Sequence, residues 1–185
     1  NAGSGAPSDN TTFIRKLMER NIAAAVGPVW DPIAVAQCVD AGAGTRLPLR
    51  FGGKASRTSG VPVDADVEVL AVAQDGFQTF AGARVPLGAT AAIRAGSVDV
   101  VLITTRAQAM GIDLFSNHGI DPKQKKILVA KSNQHFYASF STIAAEVIYA
   151  DGDGPIPKDI RRLPFKRVAR PIWPLDAETK PRLIL

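Results

Sequence analysis

The chain has 185 residues, 46% hydrophobic and 21% charged, with a net charge of +5 and an isoelectric point near 9.6. This is the balance of an ordinary soluble globular protein, long enough for one domain with a proper core. No apolar run approaches the roughly 20 residues that cross a bilayer, and a single cysteine, Cys38, excludes an internal disulfide. No leader sequence is expected from the first residues, and one thiol fits a reducing cytoplasm.

In chain order, a Gly/Ser-rich loop over residues 1–9 leads into a helix over residues 12–20. Phe13, Ile14, Leu17 and Met18 stand there at helical spacing. Ser8, Asp9 or Asn10 can cap it. Residues 22–26 read as a short apolar strand. Asp31-Pro32 is a cap followed by proline at the first helical position, and Gly42 follows that helix. Residues 46–51 suggest another strand. Residues 63–72 alternate: Val63, Ala65, Val67, Val69 and Ala71 share one face, and Asp64, Asp66 and Glu68 the other. Asp75-Gly76 is a hairpin-turn signal, with residues 77–82 returning and residues 90–94 adding a strand. Residues 98–104 form a nearly unbroken apolar run, as in a buried central strand. Residues 127–130 and 147–150 read as strands, and residues 114–118 and 134–145 as helices. The alternation predicts one α/β domain: a mixed, largely parallel sheet with flanking helices, an antiparallel strand insertion and an irregular C-terminal tail. That tail, residues 151–185, is Pro-rich and basic, with Lys158, Arg161, Arg162, Lys166, Arg167 and Arg170. It reads as a solvated tail or a dimer contact. No aromatic residues interleave with its charges in the manner of a stacking platform, so a nucleic-acid partner is not expected.

Four segments can carry chemistry. In Gly3-Ser4-Gly5-Ala6-Pro7-Ser8-Asp9, glycines let backbone N–H groups turn inward ahead of a helix N-terminus, which suits a carboxylate or phosphate. A plain connector is the alternative. In Phe51-Gly52-Gly53-Lys54 the glycines permit close approach and the lysine can meet an anion, or the segment is a turn with a solvated lysine. Lys131-Ser132-Asn133-Gln134-His135 lies where a strand gives way to a helix, the position where open α/β sheets bind ligands. Lys131, Ser132 and His135 can orient a substrate or move a proton there, or Ser132 or Asn133 caps the helix while His135 packs beneath it. His118-Gly119 reads better as a helix end than as a ligand. With two histidines and one cysteine, and no His-x-x-x-His or Cys-x-x-Cys pair, the segment suggests no complete zinc site.

The ordered set of residues 3–11, Gly52-Gly53-Lys54, Lys131-Ser132-Asn133-Gln134-His135-Phe136 and Arg170-Pro171-Ile172-Trp173-Pro174-Leu175-Asp176 resembles the C-terminal domain of the microcystinase C (MlrC) family of zinc metallopeptidases. Val98-Asp99-Val100-Val101-Leu102-Ile103 and Gly119-Ile120-Asp121-Pro122 match its pattern as well. Ser4 and Ser8 stand where glycine is common in that family. The resemblance implies a peptidase or amidohydrolase for the intact protein, with Zn²⁺ held by a preceding N-terminal domain that nothing here matches. It also implies that the glycine loop and the Lys-Ser-x-x-His segment face the cleft between the two. On this reading His135 and Lys131 are the expected catalytic residues, and Gly3, Ser4, Gly5, Asp9, Gly53, Lys54 and Ser132 bind substrate or an anion. The expected partners are the N-terminal domain, a peptide or amide substrate and a possible second copy. Two other classes stay open: a stand-alone module for a small anion, and an oligomerisation domain using the basic tail and Trp173.

Overall fold

The computed structural model describes residues 2–152, 154–157 and 159–179, so Lys158 and the last six residues of the expected tail lie outside the described residues. Six strands form one sheet in the order β2-β3-β4-β5-β1-β6. They are β1 (Ala24–Trp30), β2 (Arg46–Phe51), β3 (Val63–Phe80), β4 (Ala83–Ala95), β5 (Val98–Ile103) and β6 (Ile127–Ala130). The sheet is mixed, as expected. β5, β1 and β6 run parallel, with Val26 opposite both Val100 and Val129. β2, β3, β4 and β5 are joined by antiparallel pairings.

Both faces of the parallel part are covered, which explains the continuous apolar run of β5. Successive side chains go to opposite faces. Val26, Val100 and Leu102 pack with Ile14 and Leu17 of α1 (Thr12–Glu19) and with Val35 and Cys38 of α2 (Pro32–Ala41). Ala25, Val101 and Ile103 pack with Leu114 and Phe115 of α3 (Asp113–Ser116) and with Phe140 of α4 (Tyr137–Phe140). The one charge inside β5, Asp99, is buried between Arg94 and Lys125, at 2.8 and 2.6 Å.

The expected signals of α2 are all used. The Asp31 carboxylate accepts from Ala34 N at 3.1 Å, Pro32 opens the helix, and Gly42, at φ 83°, closes it. At α1 the local acceptor is Asn10, whose Oδ1 takes Thr12 N at 3.0 Å. Asp9 points elsewhere.

Several boundaries differ from expectation, each for a physical reason. The first strand begins two residues late and runs on to Trp30, through Pro28. Asp75-Gly76 is not a turn. β3 continues through it to Phe80, and the hairpin closes at Ala81-Gly82, both at positive φ, with Phe80 opposite Ala83. Gly76 is needed for close approach instead, because a Cβ there would lie 2.3 Å from Thr90 Cγ2 on β4. The helix expected over residues 134–145 shrinks to Tyr137–Phe140. Ser and Thr hydroxyls compete for its backbone, as when Thr142 Oγ1 donates to Ser139 O at 2.7 Å. Residues 147–150 are not a strand: they pair with nothing in the sheet, and Ile148 is 75% exposed. The expected helix over residues 114–118 starts at Asp113, and Gly119 follows the turn at φ 71°.

Candidate functional site

The parallel strands β5, β1 and β6 finish on one side of the sheet, at Thr104, Asp31 and Lys131. Loops that are remote in sequence are tied together there by hydrogen bonds. Asp9 is buried. One of its carboxylate oxygens accepts from Lys54 N at 2.8 Å and Ala55 N at 2.7 Å, and the other accepts from Ser59 Oγ at 2.5 Å. Its backbone carbonyl accepts from Gly53 N at 2.7 Å. The aspartate therefore braces the glycine loop against the Gly52-Gly53-Lys54 segment, with its acceptors directed inward. Asp31 does a similar job beside it: besides capping α2, it accepts from Gly52 N and from Lys54 Nζ, both at 2.8 Å. Lys54 also donates to Arg50 O at 2.7 Å, so its charge is matched within the fold.

Lys131 reaches across to the glycine loop. Its Nζ donates to Ser8 O at 2.5 Å and lies 3.4 Å from Asn10 O. Ser8 has φ 70°, in the left-handed region that favours glycine. Burial pulls the Lys131 ammonium down to about 7, against the opposing pull of Asp9. The unfolded chain keeps this proton up to the ordinary value of 10.5, so it binds more protons than the folded chain between those limits. Stability should therefore rise with pH across that window. Lys131→Met should flatten the rise, as read by urea unfolding at about pH 7.5 and about pH 9.5.

A second group of bonds surrounds Gln108, a buried residue on the loop after β5. Its Oε1 accepts from Ser132 Oγ at 3.0 Å and lies 3.5 Å from Asn133 N, while its Nε2 lies 2.7 Å from His135 Nδ1. Asn133 Nδ2 donates to Ser4 Oγ. Gly3 lies flat against the Gln108 amide, where a Cβ would come within 2.6 Å of both amide heteroatoms. Gln108 is in turn held by Gln78, fully buried on β3, which donates to Gln108 O at 2.8 Å and accepts from Met110 N at 2.8 Å. His135 is exposed, edge-on to Phe80 at 5.0 Å.

The structure thus brings together Gly3, Ser4, Ser132 and His135 around Gln108, and Asp9, Gly53 and Lys54 around the neighbouring loop. Lys131 links the two groups through Ser8. Gly5, at φ 81°, faces open space. Gln78 and Gln108 were not foreseen, and Asn133 was expected only as an alternative helix cap. A glutamine in a polar or alternating stretch carries no sequence signal of burial.

The donor set does not suit a bound metal. Among the described residues no three His, Cys, Asp or Glu side chains gather to hold an ion. Burial, and then the nearby Asp31 charge, push the Cys38 thiol up to about 11, so it stays protonated. His118 is buried, with both ring nitrogens engaged, by Thr90 Oγ1 at 2.7 Å and Leu114 O at 3.0 Å. No described helix is long and apolar enough to cross a membrane.

A mixed α/β domain with glycine loops gathered beyond its parallel strands is the class that fold and site define. The chain belongs to the MlrC C-terminal family, whose description "MlrC C-terminus" matches residues 1–167. It is 31% identical over 177 residues to Microcystinase C of Sphingomonas sp., covering 95% of this chain and 34% of that protein. The crystal structure titled "Putative metallopeptidase" from Mesorhizobium sp. BNC1 has the same fold, with a TM-score of 0.81 at 24% identity over 95% of this chain and 36% of that one. The chain therefore spans about a third of the length of the relatives it matches.

Proposed function

We propose that this domain forms one wall of the substrate cleft in a longer peptidase or amidohydrolase, with the metal ligands in the remaining length that the relatives carry. The observation that supports this reading is the convergence of three glycine- or lysine-bearing segments, residues 3–9, 52–54 and 131–135, beyond the same strand ends. Zn²⁺ in the intact protein would supply the Lewis acid for amide cleavage. The residues described here do not fit that ion and are assigned other work. Backbone N–H groups near Gly3 and Gly5 bind an anionic group of the substrate. Ser132 holds Gln108 in place. His135, exposed and oriented through Gln108, positions the scissile amide or its developing oxyanion. Lys131 holds the Ser8 and Asn10 carbonyls and so keeps the glycine loop in shape.

His135→Ala in the full-length protein is expected to lower kcat about 100-fold, the effect of losing one oxyanion donor. Steady-state amide-cleavage kinetics measure this, and unchanged kcat and KM would make His135 purely structural.

A second reading rests on a separate observation. Residues 141–179 contain no buried residue among those described, yet they expose Ile148, Tyr149, Phe165 and Trp173. Such a surface suits an interface with another domain or copy.

A further inference from the structure

We infer that Gln108 is a positioning residue that fixes the tautomer of His135, so that the neutral ring presents Nε2–H to the cleft as a hydrogen-bond donor. One group beside Gln108 has no choice of role. A backbone N–H can only donate, and the N–H of Asn133 faces one end of the Gln108 amide at 3.5 Å. The Ser132 hydroxyl approaches the same end at 3.0 Å. That end must be the carbonyl oxygen, because a flipped amide would set its NH₂ group against the Asn133 N–H. The other end is then the amide nitrogen, 2.7 Å from His135 Nδ1. An amide nitrogen donates and does not accept, so Nδ1 supplies the lone pair. A neutral imidazole with an accepting Nδ1 carries its proton on Nε2.

Gln108 cannot easily turn away. Its backbone carbonyl is bonded to Gln78, whose side chain is fully buried, and its amide is backed by the Gly3 Cα. This gives the glycine at position 3 a physical reason: a methyl group there would displace the amide that holds the histidine. It also limits the chemistry. With Nδ1 engaged and Nε2 protonated, neutral His135 serves as a donor to substrate oxygen rather than as a general base.

His118 provides an internal reference. Its Nδ1 lies 3.0 Å from Leu114 O, a carbonyl that can only accept, so that ring carries Nδ1–H and takes the Thr90 hydroxyl at Nε2. Burial also pulls its proton affinity down. The chain's two histidines are thus assigned opposite tautomers.

The test is ¹⁵N-edited NMR of the ring nitrogens of the intact protein, uniformly labelled, at a pH where imidazole rings are neutral, with His118→Gln and His135→Gln used to assign these two rings among all its histidines. The set lost in His135→Gln is expected to be an Nε2–H ring, and the set lost in His118→Gln an Nδ1–H ring. Nδ1–H at both of these rings, or an even mixture at His135, would overturn the assignment. Gln108→Glu replaces the donor with an acceptor of the same shape and should move the His135 proton to Nδ1. Gln108→Leu should leave a mixture of tautomers. If Gln108→Glu leaves the proton on Nε2, the glutamine does not set it. The catalytic consequence rests on the proposed cleft function, and there Gln108→Glu should lower kcat about tenfold with little change in KM. The ring spectrum stands apart from turnover, so failure of the tautomer and failure of the cleft role are distinguishable.

Discussion

Asp9→Ala is expected to destabilise the domain by about 4 kcal/mol, the largest loss among single side chains of the site. The carboxylate is 2% exposed and takes two backbone N–H groups and one hydroxyl. Hydrogen bonds to a charged acceptor contribute about 1.5–3 kcal/mol each, and a donor left unpaired away from water costs about 1–3. Part of this is recovered because the Lys54 and Ala55 region is partly exposed and water can enter. Asp9→Asn should lose less, about 2 kcal/mol, because one oxygen still accepts while the amide nitrogen meets a donor. Chemical denaturation of both variants beside the parent chain measures the series, and equal stability of Asp9→Ala and the parent would rule out the brace.

Gly53→Ala is the second large effect, about 3 kcal/mol, and it has a matched control. Gly53 has φ 62°, and a Cβ there would lie 2.6 Å from Pro62 N and 2.7 Å from Val61 C. Both obstacles are backbone and cannot swing aside, so left-handed strain and a collision add together. Gly5 has φ 81° with nothing near its missing Cβ. Gly5→Ala should therefore cost only the strain, about 1 kcal/mol. If the two substitutions cost the same, the close approach of the 52–54 segment to residues 61–62 is not what the glycine serves.

The parts of the fold legible in the sequence were those where a local signal and the tertiary role coincide. Asp31-Pro32 and Gly42 bracket α2 because capping chemistry is local. The run of β5 reads as buried because both its faces are covered. Asp75-Gly76 misled because a glycine can serve a turn or a close crossing, and only the Thr90 side chain on the neighbouring strand decides between them. The same limit applies to the site. Lys131, Ser132 and His135 stood out as chemically capable residues at a strand end. Gln108, which bonds Ser132 and His135, and Gln78 behind it did not, because their burial depends on elements 30 residues apart in the chain. Asp9 was legible as a polar group in a glycine loop, but its partners near residue 55 belong to long-range packing.

The Asp9 latch also bears on how little of the polypeptide can fold alone. Residues 54, 55 and 59 direct their donors at a group 45 to 50 positions earlier. A truncation that starts the chain at Asn10 would remove no strand or α-helix, yet it would strand those donors and release the Ser8 carbonyl from Lys131. The minimal autonomous unit therefore begins upstream of its first α-helix, within a stretch that by pattern alone resembles dispensable linker.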